Sequence, residues 1–136
     1  YDDLSRRDFT VNAMAKDPDT GEIIDYFGGM EDLKDRILRT PLDPVVTFDD
    51  DPLRIIRGVR FAVTKGFDFS DEVHSAIENY DYYTKMKVVS EERIREELLK
   101  CFKYDTHATL MWLFLVGLDE YIFNETNIWL KPTNEK

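Results

Sequence analysis

From Asp51 onward the apolar positions recur every three or four residues. Leu53, Ile56, Val59 and Val63 fall on one stripe, the rhythm of a helix with a single buried face. Pro52 suits the first helical position, where no backbone N–H is needed, and Gly66 supplies the stop. Ser70 to Tyr80 predicts a second helix, capped by Ser70, with Val73 and Ile77 turned inward. Ser90 caps a third, in which Glu91 and Glu92 match the positive helix start while Ile94, Leu98 and Cys101 face the core. A fourth runs from about Thr106 to Val116 and stops at Gly117.

Before Asp51 the pattern differs. Phe9 to Lys16 alternates loosely, Asp17-Pro18-Asp19-Thr20-Gly21 reads as a turn, and Glu22 to Phe27 completes a predicted hairpin with that turn at its tip. Gly28-Gly29 breaks the pattern, Met30 to Lys34 fits one or two helical turns, and Ile37 to Thr40 fits a short returning strand. Pro41 and Pro44 mark a connection. The expected fold class is therefore α+β, a β hairpin region followed by a helical bundle, with no internal repeat and no low-complexity segment.

At 136 residues the chain can bury a core of one domain or of parts of two adjoining ones. The longest apolar run, Leu110 to Val116, is far below the roughly 18 residues of a membrane span, so a soluble protein with no membrane partner is expected; an intracellular, cytoplasmic location is a separate expectation. Cys101 is the lone cysteine, which excludes an intrachain disulfide and a Cys-based zinc site and leaves a buried inert thiol. A net charge of -10 argues against RNA binding through an overall positive field, so any nucleic-acid contact is local. Basic residues do cluster at Arg6-Arg7, at Arg54, Arg57 and Arg60, and at Arg93 and Arg95, a pattern that a solvated, ion-paired face also explains.

Asp51 and Arg54, three residues apart at a helix start, share a face. A carboxylate acceptor beside a guanidinium donor matches the edge of cytosine or adenine, each of which offers an exocyclic amine next to a ring nitrogen that accepts. Guanine and uracil present a carbonyl and a ring N–H at those places, which leaves buried polar groups mismatched. The alternative is a helix cap before Pro52 with a routine surface pair. Arg57, one turn on, places a fork where it can hold a triphosphate, and Arg60 continues around the helix as a structural residue. Arg6 and Arg7 can neutralise phosphate while Asp8 accepts a ribose hydroxyl, or they can form a solvated strand edge that blocks pairing.

Three stretches, Arg6-Arg7-Asp8-Phe9-Thr10-Val11-Asn12-Ala13, Asp50-Asp51-Pro52-Leu53-Arg54-Ile55-Ile56-Arg57 and Glu92-Arg93-Ile94-Arg95-Glu96-Glu97-Leu98, occur in that order. Together they resemble the class II tRNA nucleotidyltransferases, the CCA-adding enzymes, and their relatives the bacterial poly(A) polymerases. The resemblance spans Tyr1 to about Lys103. It implies the end of a nucleotidyltransferase palm, or head, over residues 1–44, a helical neck for base selection over 45–105 and the start of a helical body over 106–136. It also implies a ribose and triphosphate role for Arg6, Arg7 and Asp8, supported by Asn12, and base selection by Asp51 and Arg54. In the family the latter motif usually reads Glu-Asp-x-x-Arg, and Asp50 replaces the Glu here. Glu92, Arg93, Arg95 and Glu96 are expected to brace the Arg54 helix through buried ion pairs. Asp25 to Arg39 resembles a flexible segment between head and neck, with Gly28 and Gly29 as hinge positions and Arg36 where many members carry glycine.

The implied activity is template-independent addition of C and A to tRNA 3′ ends, with ATP and CTP as substrates and the tRNA end as partner. Poly(A) addition through the same pocket and a catalytically silent nucleotide- or RNA-binding protein are the alternatives. Phosphoryl transfer by two metals needs paired carboxylates on a rigid strand. The family's Asp-x-Asp pair, with its Mg2+, is expected upstream of Tyr1, so no catalytic or metal residue is assigned within these residues. Asp17 with Asp19 sits on a turn, and Asp49 with Asp51 involves a residue already committed. His74 and His107 are not followed by Asp, which excludes a His-Asp phosphohydrolase motif at either.

Overall fold

The computed structural model describes residues 1–126, so the last part of the expected body segment, 127–136, lies outside the described residues. The chain opens with a single helical turn, α1 (Asp2–Ser5), and a 3-10 turn at Thr10–Asn12. β1 (Ala15–Lys16) then pairs antiparallel with β2 (Ile23–Ile24), Ala15 opposite Ile24 and Lys16 opposite Ile23. The hairpin is present at its expected tip, but its arms are short. Phe9 to Asn12 is not part of a strand, which corrects the expected alternation. Asp8 Oδ1 accepts from Phe9 N at 2.7 Å and from Asn12 Nδ2 at 3.1 Å. Side-chain bonds of this kind offer the backbone a turn in place of a ladder.

Next come α2 (Gly29–Asp35), β3 (Ile37–Leu38) and α3 (Pro44–Asp50). α3 was expected only as a connection. Asp43 caps it by accepting from Val45 N at 2.8 Å, and Pro44 takes the first position, but Val45 and Val46 remain exposed and left no periodic apolar signal. α4 (Leu53–Lys65) follows directly and ends at Gly66, whose φ of 73° is the left-handed conformation that favours glycine. β4 (Asp68–Phe69) runs parallel to β3, a pairing too short to show in the sequence.

α5 (Asp71–Glu78), α6 (Tyr82–Lys85) with a 3-10 turn at Met86–Val88, α7 (Glu91–Tyr104), α8 (Thr106–Leu115) and α9 (Asp119–Glu125) complete the described chain. Ser70 and Ser90 cap α5 and α7 as expected, each accepting at 3.3 Å from the N–H three residues on. α6 and α9 were not anticipated.

α4 is the centre of the core. Leu53, Ile55, Ile56, Val59, Ala62 and Val63 are buried on it, and it packs against α7 and α8, which bury Ile94, Leu98, Cys101 and Leu113. A fully buried side chain of this size contributes about 1.5 to 3 kcal/mol by leaving water. A surface i, i+4 pair contributes only about 0.2 to 0.5 kcal/mol. Apolar burial therefore fixes where α4 lies, and with it the direction of the arginines on its other face. Gly58 sits on α4 where a Cβ would collide with the Phe69 ring, so its lack of a side chain lets Phe69 close against the helix.

Burial pushes the Cys101 thiol up to about 11. Iodoacetamide at pH 8 is therefore expected to leave the folded chain unmodified and to alkylate it in urea, since only the thiolate reacts. Rapid labelling of the folded chain, read by mass spectrometry, contradicts this burial.

Candidate functional site

The buried stripe of α4 turns Arg54 and Arg57 toward the strap between α1 and the 3-10 turn. There they meet the Arg6-Arg7-Asp8 segment. Arg6, Arg7, Asp8, Asn12, Asp51, Arg54 and Arg57 all line one cavity of about 440 Å³, together with Phe61. Phe61 was missed in the sequence, although its place four residues after Arg57 puts it on the same helical face. Its ring stands edge-on to Phe9 at 6.2 Å and under the Arg60 guanidinium at 4.7 Å. The solvated strand-edge explanation of Arg6 and Arg7 loses its premise, because no strand forms at that segment.

Asp51 breaks the chain between α3 and α4 with an extended backbone, as the residue before proline must. Its Oδ1 accepts from Leu53 N at 3.2 Å, so it does cap α4, while Oδ2 lies 2.9 Å from Arg93 Nη2. Cap and cavity roles therefore coincide in one side chain. Arg54 is held on three sides: Nη1 donates to Thr47 O at 3.1 Å, Nη2 donates to Arg6 O at 2.7 Å, and Nη2 also lies 3.3 Å from Asp50 Oδ2. Asp51 and Arg54 thus pair with other partners and not with each other. Each keeps capacity for a ligand, because a carboxylate offers about four acceptor sites and a guanidinium five donors.

Asp8 is buried at the cavity wall, and its Oδ2 lies 3.1 Å from Arg57 Nη2. That contact is an ion pair without hydrogen-bond alignment, and Asp8 Oδ2 and Arg57 Nε are shielded from solvent with no hydrogen-bond partner. The ion pair compensates the charge on Oδ2 but gives it no aligned donor, and a ligand hydroxyl would supply one after a small shift of Arg57. Among the described residues, Arg7 pairs only with the exposed Asp3, at 3.5 Å.

The α7 residues divide. Arg93 holds Asp51, but Glu92, Arg95 and Glu96 lie exposed and form no ion pair with α4 among the described residues. The buried brace expected of them is made instead by Glu97, whose Oε1 accepts from Arg60 Nε at 2.6 Å. One position along a helix is a turn of 100°, enough to move a carboxylate from solvent to the α4 interface.

Gly28 has a φ of 79° with open space around it, whereas a Cβ on Gly29 would fall on the carbonyl of Thr10. The structure thus gives Gly29 a packing reason: α2 docks on the 3-10 turn at its backbone. Asp25 caps α2 by accepting from Gly29 N at 2.7 Å and Met30 N at 3.0 Å. Burial works against its charge, but the N–H groups of Met30 and Gly29 outweigh it and hold the carboxyl below its usual range. Arg36 ends α2 with a φ of 59°, a conformation that favours glycine, and its Nη1 donates to Lys65 O at 2.6 Å.

Residues 1–39 match the Poly A polymerase head domain, and residues 66–130 match the probable RNA and SrmB-binding site of polymerase A. The CCA-adding enzyme of Lactobacillus helveticus is 46% identical over 99 residues, 73% of this chain and 24% of that protein. The chain belongs to the poly(A) polymerase and CCA-adding enzyme family. It spans about a quarter of the length of the curated relatives it matches. The structure of the Bacillus stearothermophilus CCA-adding enzyme in complex with CTP superposes with a TM-score of 0.77 at 38% identity, over 85% of this chain and 29% of that one. The Thermotoga maritima CCA-adding enzyme complexed with tRNA also gives 0.77, at 31% identity, over 92% of this chain and 31% of that one.

Nucleotidyltransferases of this family are typically metal-dependent. Among the described residues no group of three His, Cys, Asp or Glu side chains stands close enough to hold a metal ion. Both Asp-x-Asp patterns are engaged elsewhere. Asp17 Oδ1 accepts from Asp19 N at 2.8 Å on the hairpin tip, and Asp49 and Asp51 face Lys85 and Arg93. These residues do not fit a catalytic metal pair, and the chemistry below concerns nucleotide recognition alone.

Proposed function

We propose that this chain is the nucleotide-selecting part of a template-independent RNA nucleotidyltransferase that adds C and A to tRNA 3′ ends. What supports the reading is one observation: Arg6, Arg7 and Asp8 of the Arg-Arg-Asp stretch and Asp51 and Arg54 of the Asp-Asp-x-x-Arg stretch line a single cavity. Asp51 accepts the exocyclic amine of cytosine or adenine while Arg54 donates to the adjacent ring nitrogen. Asp8 accepts a ribose hydroxyl, Arg6, Arg7 and Arg57 neutralise the triphosphate, and Asn12 holds Asp8. In this reading 1–44 closes the head, 45–105 is the base-selecting neck and 106–136 begins the body. Mg2+ is the metal of the complete enzyme, and an enzyme that mends tRNA ends works inside the cell.

The test is a chimera in which this sequence replaces the corresponding segment of the Lactobacillus helveticus CCA-adding enzyme. It is expected to rebuild CCA on a tRNA lacking its 3′ end. Addition of A alone, in runs, would favour poly(A) synthesis through the same pocket, a reading that the Poly A polymerase description of residues 1–39 keeps in play. The 136 residues by themselves are expected not to extend tRNA with CTP and Mg2+, because neither Asp-x-Asp pattern in the sequence nor any acidic group among the described residues suits a catalytic metal. Robust incorporation of labelled CMP by the purified chain contradicts that expectation.

A further inference from the structure

Asp49, Asp50 and Asp51 follow one another where α3 ends, and each faces a cation from a different element. Lys85 Nζ of α6 stands 2.9 Å from Asp49 Oδ1, Arg54 Nη2 of α4 stands 3.3 Å from Asp50 Oδ2, and Arg93 Nη2 of α7 stands 2.9 Å from Asp51 Oδ2. The last carbonyls of a helix have no partner within it. Two of those at the end of α3 are taken from outside: Thr47 O by Arg54 Nη1 and Phe48 O by the Tyr80 hydroxyl, each at 3.1 Å.

Tyr80 is well placed to grip this end. Its ring stands edge-on to the buried Phe48 at 6.3 Å, and its hydroxyl also lies 3.2 Å from Asp49 Oδ1, with one hydrogen to serve both acceptors. Lys85 Nζ lies 5.0 Å from the centre of the Tyr80 ring while it holds Asp49. Burial first, and then the Asp49 charge, push the Tyr80 hydroxyl far above its usual range, so it remains a donor at any pH at which the protein works. Neither Tyr80 nor Lys85 lines the nucleotide cavity; both line a separate cleft together with Asp43, Pro44 and Asp81.

Arg54 and Tyr80 are therefore anchored on adjacent carbonyls of one short helix end. If Phe48 O and Asp49 are released, the helix end that supplies two of the three anchors of Arg54, Thr47 O and Asp50 Oδ2, is free to move, and Arg6 O is left to aim the guanidinium. We propose that Tyr80 and Lys85 are positioning residues for base selection: they clamp the end of α3 and so set the guanidinium of Arg54 and the turn that carries Asp51. The inference rests on the proposed function, because it assigns Arg54 and Asp51 to the base.

In the chimera, Tyr80→Phe and Lys85→Met are expected to lower the ratio of kcat/KM for CTP over UTP by about threefold to tenfold, the size of coupling between groups in one hydrogen-bonded network. The loss should fall on KM for CTP more than on kcat, and Lys85→Arg should restore the ratio. Leu118→Ala, which truncates a fully buried side chain between α8 and α9, should lower the melting temperature and leave the ratio unchanged. Arg54→Ala serves as the reference. If it collapses the ratio while Tyr80→Phe and Lys85→Met lower only the melting temperature, the positioning inference is overturned and the proposed function stands. If Arg54→Ala leaves the ratio unchanged, the proposed function itself fails and takes the inference with it.

Discussion

Replacing Asp51 or Arg54 with alanine in the chimera is expected to reduce kcat/KM for CTP and ATP by roughly fivefold to a hundredfold, the equivalent of about 1 to 3 kcal/mol for one buried polar group left unpaired. UTP and GTP should lose much less, since their edges never matched the pair, and discrimination should narrow accordingly. Asp51→Ala also removes the cap on α4 and the partner of Arg93, which costs stability as well. Asp51→Asn separates the two effects. An amide can still cap Leu53 N, so its melting temperature should stay closer to that of the unaltered protein while base choice is lost. Unchanged CTP and ATP kinetics in all of these variants would falsify the base-selecting role and leave Asp51 as a helix cap.

Sugar selection should depend on Asp8. Its Oδ2 is ion-paired to Arg57 at 3.1 Å but has no aligned hydrogen bond, and in the proposed function a ribose hydroxyl is the donor that reaches it. A hydrogen bond to a charged acceptor contributes about 1.5 to 3 kcal/mol, so Asp8→Ala is expected to narrow the preference for CTP over dCTP roughly tenfold to a hundredfold. Asp8→Ala also frees Arg57 and Asn12, which both lean on it. The CTP to dCTP ratio is insensitive to that shared disturbance, whereas kcat/KM for either alone is not. Arg7→Ala should behave differently and weaken both nucleotides alike, because phosphate is common to them. An unaltered ratio in Asp8→Ala removes this residue from sugar recognition.

Much of this was legible because long periodic helices carry redundant signals. α4, with its apolar stripe, its proline start and its glycine stop, follows from the sequence almost residue for residue. The residues facing the cavity were legible for a different reason: Arg54 and Arg57 occupy the polar side of that same helix, and the stripe fixes which way they point. Short elements were not. Phe9 to Asn12 alternates like a strand, yet the Asp8 carboxylate bonds its own neighbours and turns the chain. α3 shows exposed valines where a buried face would have announced a helix. Within the apolar run Leu110 to Val116, Phe114 and Leu115 are 72% and 65% exposed, because α8 buries only the side that carries Thr109 and Leu113 and its apolar residues are not confined to that side. Glu97 was missed in favour of Glu96 because charge alone does not tell which of two adjacent carboxylates faces a neighbouring helix.

The most direct measurement of the central claim is a titration of the isotope-labelled 136-residue chain with CTP, followed through its backbone amide resonances. Saturable shifts are expected at Arg6 to Asn12 and at Asp51 to Phe61, with ATP giving the same set and UTP and GTP giving little at equal concentration. Shifts of equal size with UTP, or shifts confined to residues outside that cavity, would contradict a pocket that selects C and A.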